Sequence, residues 1–415
     1  MGIVNQSNFN WRRVRWLLMV AGIVLAVFGW GVTQPGLFKV LGVNTLNPIF
    51  SDLIAILAAG EAQVAGLDVY ANNPLDPLNR PHVYGPWWLG LGYLGLVRAD
   101  AWWLGLLLLG GFILVAVLVL NPRDTRSTAI AVFLLASPPV LLAMERGNND
   151  LVIFLLLAAA VWLAMRPARF AAWLAGGLLV LAAALKLYPL VALPSLAAAP
   201  ATRKRVLLIV GTTTVVCAIV GLSSLAVYQK VVAMAPEPLT IFGYGGKLTY
   251  YMLLTITDYR GWIMAGGLPL TILTLWGCWQ WRRQFWSLLP MTGFTTGCYL
   301  AGALCWGLCY VSTISFPYRM VLLLLPARLW LQVRTEIEFN PVIRMQWIVT
   351  VLLFWTPFTK EHLLVLNVNE IAFTGSPLAW AVLGAEQAFA FSISATLGLA
   401  MLGWLWRRFS AEVEI

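Results

Sequence analysis

The strongest constraint in this sequence is a series of long apolar runs. Residues 101–120 (AWWLGLLLLGGFILVAVLVL) contain no charged side chain, and similar runs recur along the chain. About 20 apolar residues in a helix cross the ~30 Å hydrocarbon layer of a bilayer. The alternation of apolar and polar residues typical of membrane β-barrels is absent. The pattern therefore predicts an all-α, polytopic integral membrane protein.

The runs predict about twelve transmembrane helices in one transmembrane domain that covers residues 1–415. Short basic clusters separate alternate runs, at 12–15, 123–126, 166–169, 203–205, 282–283 and 407–408. Loops rich in Lys and Arg stay in the cytoplasm. We therefore expect a bacterial cytoplasmic membrane protein with both termini inside. The net charge of +10 then reflects membrane orientation, and no nucleic acid partner is expected.

Cysteine usage and the first apolar run indicate whether the chain has disulfides, a structural metal or a cleaved signal peptide. The five cysteines all fall in apolar runs, without a CxxC pair, at positions 217, 278, 298, 305 and 309. We expect neither a disulfide nor a structural metal. The first run ends in VTQPGLFK, which is not a small-residue cleavage site, so it is interpreted as a retained membrane helix.

A long polar segment, residues 35–99, follows the first apolar run and is predicted to form an outer loop with interfacial or re-entrant helices. The part at 84–97 is too short for a span, and its Trp87, Trp88 and Tyr93 suit the headgroup level. Asp52 starts a helical stretch, so it is either a helix cap or a base that could deprotonate an acceptor hydroxyl. The other acidic candidates are Glu61, Asp68 and Asp76.

The remaining polar clusters are predicted to lie at the same, outer ends of the helices. Ionisable groups at a membrane boundary often mark functional sites. The ERGNND turn at 145–150 is longer than capping requires, although a simple turn is the alternative. Lys186 could snorkel to the interface or bind an anion. Arg319, next to Tyr318, could bind phosphate or only anchor its helix. His82 and His362 are the two histidines, and they do not indicate a metal site.

Several of these stretches resemble glycosyltransferase family 87, a group of the GT-C superfamily that includes polyprenyl-phosphate-mannose α-1,2-mannosyltransferases. The similar stretches are ERGNND followed by LVIFLLL, AGGLLVLAAALKLYPLVALP, SFPYRMVLLLLP and DVYANNPLDPLNRPHVYGPWW. The resemblance extends over roughly residues 45–330. The usual Gly-Gln-Val-Asn of the family is replaced here by residues 147–150 (GNND), closer to a branch with Gly-Asn-x-Asp.

The resemblance implies an enzyme that takes a sugar, favouring a mannose-like hexose, from a polyprenyl-phosphate donor. The acceptor would be a glycan or lipid at the periplasmic or exterior face, among the membrane lipids. Asp52 matches the placement of the family's catalytic aspartate. The resemblance implies that Asp52 is the base of a transfer that inverts the anomeric carbon and uses no cofactor or metal. We expect cations near the leaving phosphate, and the candidates there are Arg319, Tyr318, Lys186, Arg146 and Lys247. The candidates for sugar or acceptor binding are Glu145, Asn148, Asn149, Asp150, Tyr70, His82, Tyr84 and His362.

Three other functions remain open on the sequence alone. A secondary transporter would need internal repeats and ionisable groups at the membrane midplane, and Glu386 is the main group of that kind. A lipid-linked saccharide flippase would use the same cations without a base. An O-antigen ligase or polymerase would also act on a polyprenyl-linked sugar at the outer face.

Overall fold

A computed structural model describes residues 11–234, 243–255, 257–312, 314–332, 340–363 and 377–410. These residues form helices and connecting turns, with one isolated β-bridge between Tyr244 and Ser315 and no β-strand. The all-α prediction is confirmed.

In the described part of the first half of the chain there are ten α-helices: α1 (Trp11–Thr33), α2 (Pro35–Val40), α3 (Ser51–Val64), α4 (Gly90–Tyr93), α5 (Ala101–Leu120), α6 (Thr125–Leu135), α7 (Pro138–Arg146), α8 (Asn149–Ala164), α9 (Arg169–Leu185) and α10 (Arg203–Ser223). The second half carries α11 (Leu225–Met234), α12 (Gly246–Thr255), α13 (Arg260–Gln280), α14 (Arg282–Ser287), α15 (Phe294–Ser312), α16 (Leu324–Gln332), α17 (Pro341–Leu363) and α18 (Pro377–Ser410). Short 3₁₀ helices lie at Pro86–Leu89, Arg98–Asp100, Tyr188–Ala198 and Pro317–Leu323.

Within the described residues, seven helices are long and apolar enough to cross a membrane, or eight if the bent pair α6 and α7 is one span. The polytopic fold is confirmed, but several of the twelve predicted spans are shorter helices. Proline accounts for two of the interruptions. Pro138 follows a 55° bend between α6 and α7, because proline removes a backbone donor and clashes with the preceding turn. Pro194 lies inside the 3₁₀ helix Tyr188–Ala198.

Close helix packing in this bundle depends on small residues. A Cβ atom at Gly384 of α18 would fall within 3 Å of the Ile263 carbonyl on α13, and one at Gly266 would overlap the Ala381 carbonyl. Backbones in membranes approach this closely where the interface carries glycine. The long helices α13 and α18 are thereby held in direct backbone contact.

The segment between α1 and α5 carries α2, α3, α4 and two 3₁₀ helices. Its place at the membrane interface stays a prediction. Helix α3 covers the helical stretch expected after Asp52, and it crosses α4 where Gly60 meets Gly92. Trp87 and Tyr93 are exposed, as the headgroup prediction requires. For Trp88 the prediction is wrong, since the ring is buried and its Nε1 donates to the Leu185 carbonyl at 3.1 Å. This bond fixes the segment to the end of α9.

Candidate active site

The first turn of α3 is inserted into the bundle next to the turn between α7 and α8. The Phe50 N–H donates to the Glu145 carbonyl at 2.7 Å, and Phe50 has a left-handed φ of 60°. Gly147 also has a positive φ, and a Cβ there would lie 3.2 Å from Leu53 Cβ. Glycine is therefore needed at 147 both for its backbone conformation and for this close approach.

Asp52 is buried at this contact, and its carboxylate makes two side-chain interactions. Arg80 Nη1 donates to Oδ1 at 3.0 Å, and Asn148 Nδ2 donates to Oδ2 at 2.7 Å. The helix begins after Phe50, without a side-chain cap. Asp52 is thus not a helix cap, and its carboxylate is held by two donors with 6% of the side chain exposed.

Arg80 is a residue of this site that the sequence did not predict, and Tyr188, described below, is another. Its Nε donates to Asp76 Oδ2 at 2.9 Å, and its Nη2 donates to the Ser51 carbonyl at 2.7 Å. A guanidinium with several fixed acceptors is a rigid donor. The only sequence signal was the spacing of Asp76 and Arg80 by four residues. We call Asp52, Asp76, Arg80 and Asn148 the Asp52 cluster.

Asn148 joins this cluster to a second carboxylate. Its side-chain oxygen caps α8 by accepting the Asp150 N–H at 2.9 Å, while its amide nitrogen donates to Asp52. Asn148 thus caps α8, as the simple-turn interpretation of residues 145–150 predicts, and the same side chain contacts Asp52. Rotation of the Asn148 side-chain amide would therefore break both the cap of α8 and the hydrogen bond to Asp52. A functional role for this turn stays a prediction.

The second carboxylate, Asp150, is fully buried and surrounded by donors. Lys186 Nζ and the Tyr188 hydroxyl each donate to Oδ1 at 2.6 Å, and Arg319 Nε lies 4.0 Å from Oδ2. We call these four residues the Asp150 cluster. Lys186 also donates to Asn149 Oδ1 at 3.0 Å.

The charges of the Asp150 cluster leave a net positive site. The Asp150 carboxylate faces the two cations Lys186 and Arg319. A buried charge needs an oppositely charged or hydrogen-bonding partner to be stable. The Asp150 side chain is 0% exposed, whereas those of Lys186 and Arg319 are 13% and 19% exposed. The two cations can therefore still reach an anion while Asp150 holds them together. An Arg fork and a Lys ammonium are both suited to phosphate.

Aromatic rings line the space beside both clusters. The His82 ring contacts the edges of Tyr70 and Tyr84, with centroid distances of 5.4 and 5.7 Å. Lys186 Nζ lies 5.8 Å from the centre of the Tyr84 ring. Burial lowers the pKa of His82 to about 4, so its imidazole is neutral near pH 7. The ring can hydrogen-bond a ligand but adds no charge.

Glu145 and Arg146 hold the chain that leads into α3. Glu145 Oε1 accepts the Leu46 N–H at 3.1 Å, and Arg146 Nη2 donates to the Asn44 carbonyl at 3.4 Å. Glu145 Oε2 is buried and has no hydrogen-bond partner among the described residues. Tyr318 is buried and stacks on Phe316, with ring centroids 5.2 Å apart. Binding roles for these residues stay predictions.

Other candidates make contacts outside the two clusters. Glu61 pairs with Arg98 at 3.0 Å, and Asp68 lies 3.9 Å from Lys230. Lys247 is exposed in the first turn of α12. His362 lies in the last turn of α17, where its Nε2 is 2.7 Å from the Val40 carbonyl. This bond joins α17 to α2, so a ligand role for His362 also stays a prediction.

Comparison with known proteins gives one family and one solved structure. The model of glycosyltransferase family 87 matches residues 88–305, just over half of the chain. The crystal structure of ArnT from Cupriavidus metallidurans in the apo state aligns with a TM-score of 0.37 and 13% identity, over 93% of this chain and 77% of that one. No curated protein matches the sequence.

Proposed function

This chain belongs to glycosyltransferase family 87, and on that basis we propose that it transfers a mannose-like hexose from a polyprenyl-phosphate donor to a glycan or lipid acceptor. The family match confirms the resemblance noted in the sequence and makes the chain a membrane glycosyltransferase. The donor, the sugar, the mechanism and the membrane face are the proposed part.

The observation that carries the proposal is the pairing of a carboxylate with a nearby cationic site. Asn148 contacts Asp52 through its amide nitrogen and the start of α8 through its oxygen, and Asp150 in that first turn holds Lys186 and Arg319. A sugar transferred from a lipid phosphate needs a base for the acceptor hydroxyl and cations for the leaving phosphate. Hydrogen bonds connect Asp52 to Lys186 through Asn148 and Asp150, and Arg319 lies beside them at 4.0 Å from Asp150 Oδ2.

In the proposed reaction, Asp52 accepts the proton of the acceptor hydroxyl as that oxygen attacks the anomeric carbon. The bond from the anomeric carbon to the phosphate oxygen breaks, and the polyprenyl phosphate leaves with the electron pair. Lys186 and Arg319 offset the charge that grows on the phosphate. Attack opposite the leaving group inverts the anomeric centre. Arg80 and Asn148 keep the Asp52 carboxylate oriented throughout.

The position of the site supports a reaction at the outer membrane face. The Asp150 cluster lies at the start of α8, whereas the basic residues Arg166 and Arg205 lie at the other end of the bundle. Basic residues accumulate on the cytoplasmic side. The reacting groups would then face the periplasm or exterior, at a depth where a donor's lipid tail stays in the bilayer.

The test is sugar transfer by the purified full-length protein from a panel of polyprenyl-phosphate sugars. We expect Asp52→Asn to reduce turnover by about 10²–10⁴ because general-base effects have that size. Asp68→Asn is the matched control, since Asp68 is an exposed acid of the same segment between α1 and α5 and 59% of its side chain is accessible. Near wild-type transfer by Asp52→Asn removes Asp52 from the mechanism. Transfer from none of the donors contradicts the proposed substrate.

A further inference from the structure

A cavity lies at the end of the bundle opposite the two clusters. It has a volume of about 220 Å³ and is enclosed by the end of α8, the start of α9, the end of the 3₁₀ helix Tyr188–Ala198 and the start of α10. Helix α8 has 16 residues, so its two ends are about 24 Å apart at 1.5 Å per residue. We call this space the Arg166 cavity.

The cavity combines an apolar floor with two guanidinium groups. Leu196, Val206 and Ile209 are among its lining residues, together with Arg166 and Arg205. Among the residues that the structure describes, neither guanidinium forms an ion pair with a carboxylate. The Arg166 guanidinium lies over the Trp162 ring at 3.9 Å, which holds it at the cavity. Two cations without a counter-charge at one cavity are complementary to an anion.

The surroundings indicate that this anion carries an acyl chain. Phe170 of α9 and Leu207 and Leu208 of α10 are exposed, next to helix positions that line the cavity. In a membrane such residues contact lipid tails. A ligand with a phosphate at the arginines could therefore continue as hydrocarbon over these side chains. Basic pockets between transmembrane helices on the cytoplasmic side are suited to anionic headgroups.

We propose that the Arg166 cavity is a binding site for the headgroup of an anionic phospholipid. The site is separate from the Asp52 and Asp150 clusters, and it does not depend on the proposed sugar donor. Bound lipid would join α8, α9 and α10 at the membrane surface. Asp150 lies at the start of α8 and Lys186 directly follows the end of α9, both at the end of these helices opposite the cavity. The lipid would therefore stabilise the frame of the site.

The test uses the full-length protein, delipidated in a neutral detergent, with native mass spectrometry of bound phosphatidylglycerol and phosphatidylcholine. We expect retention of phosphatidylglycerol over phosphatidylcholine. Arg166→Gln/Arg205→Gln should weaken phosphatidylglycerol binding by about tenfold or more, since each basic residue near a membrane contributes about 1 kcal/mol to anionic-lipid binding. Arg282→Gln/Arg283→Gln is the matched control, because it removes the same charge and Arg282 also stacks on a tryptophan, Trp279, at 4.6 Å.

Equal losses in the two double variants would assign the effect to general surface charge and overturn the proposal. Equal binding of both phospholipids, or displacement of phosphatidylglycerol by inorganic phosphate at the same concentration, would also overturn it. A second variant, Ala201→Phe, fills the cavity without changing charge, because Ala201 is a half-buried lining residue. This variant keeps both arginines but should lose its selectivity for phosphatidylglycerol. Unchanged selectivity would contradict binding of the headgroup in the Arg166 cavity.

Discussion

Asn148 Nδ2 lies 2.7 Å from Asp52 Oδ2 although the two residues are 96 positions apart in the chain. The same Asn148 side chain caps α8, so a substitution can affect catalysis, stability or both. Serine is the variant that separates the two effects. Its hydroxyl can cap a helix nearly as well as asparagine, but it is too short to carry the amide that donates to Asp52.

We therefore expect Asn148→Ser to keep thermal stability close to that of the wild type and to lower the turnover of sugar transfer by about tenfold or more, because a misplaced base is inefficient. Asn148→Ala should lose the same activity and in addition about 1 kcal/mol of stability. Turnover and melting temperature measured on both variants check this. Full activity of Asn148→Ser would show that the amide does not position Asp52.

The second prediction concerns Arg80, which is a positioning residue in the proposed mechanism. Arg80→Lys keeps the charge but cannot bond Asp52, Asp76 and the Ser51 carbonyl together. We expect a loss of turnover with little change in donor KM, because Arg80 acts on the base. Arg98→Lys is the control, since the Arg98 and Glu61 side chains form an ion pair at the surface, 41% and 30% exposed, and surface pairs contribute about 0–1 kcal/mol. Equal effects of the two substitutions on turnover would deny Arg80 a positioning role.

The sequence predicted the helical architecture and many residues of the site, but not how those residues pair. Asp52 and residues 145–150 stood out because polar groups are conspicuous between apolar helices. Their contact depends on Phe50 and Gly147, whose backbone conformations bring two distant turns together. No periodicity encodes such a contact. Arg80 was not predicted for a related reason. Its three acceptors, on Asp52, Asp76 and Ser51, come together only in the folded chain.

The span count was less predictable for a different physical reason. Hydropathy measures composition, and the segment 188–198 is as apolar as a membrane span. Pro189 and Pro194 make it a 3₁₀ helix, and Lys186 ends α9 just before it. The sequence predicted Lys186 as a phosphate ligand and Asp150 as a sugar or acceptor ligand, but it did not predict that the two side chains pair. Only the fold brings these two charges to 2.6 Å.

The third prediction tests the charge balance of the Asp150 cluster. Asp150→Asn leaves Lys186 facing Arg319 without the intervening carboxylate, and loss of one partner of a buried ion pair costs roughly 3–5 kcal/mol. Lys186→Met removes one of the two cations. We expect the double variant Asp150→Asn/Lys186→Met to be more stable than Asp150→Asn alone, with a coupling of about 1–3 kcal/mol. The measurement is the thermal stability of the wild type, the two single variants and the double variant. If the losses of the two single variants simply add in the double variant, the coupling is contradicted.

The fourth prediction concerns pH and His82. Burial lowers the pKa of His82 to about 4 from an ordinary value of 6.5. Its contribution to stability is therefore complete above pH 6.5 and is lost as the pH falls towards 4, by at most about 3 kcal/mol. We expect His82→Gln to show a shallower loss of melting temperature over this range than the wild type. His362→Gln controls for removal of one imidazole. Identical slopes for wild type and His82→Gln would contradict a buried neutral histidine.

The last prediction concerns the orientation of the site in the membrane. Positions 68 and 166 lie at opposite ends of the bundle, and the basic clusters predict that position 166 faces the cytoplasm. Asp68 and Arg166 are both exposed, so a cysteine at either position is accessible from its own side. In a background with the five native cysteines replaced, Asp68→Cys should react with an impermeant thiol reagent in intact cells. Arg166→Cys should react only after permeabilisation. The reverse pattern would put the Asp52 and Asp150 clusters on the cytoplasmic face, where the proposed outer-face transfer could not occur.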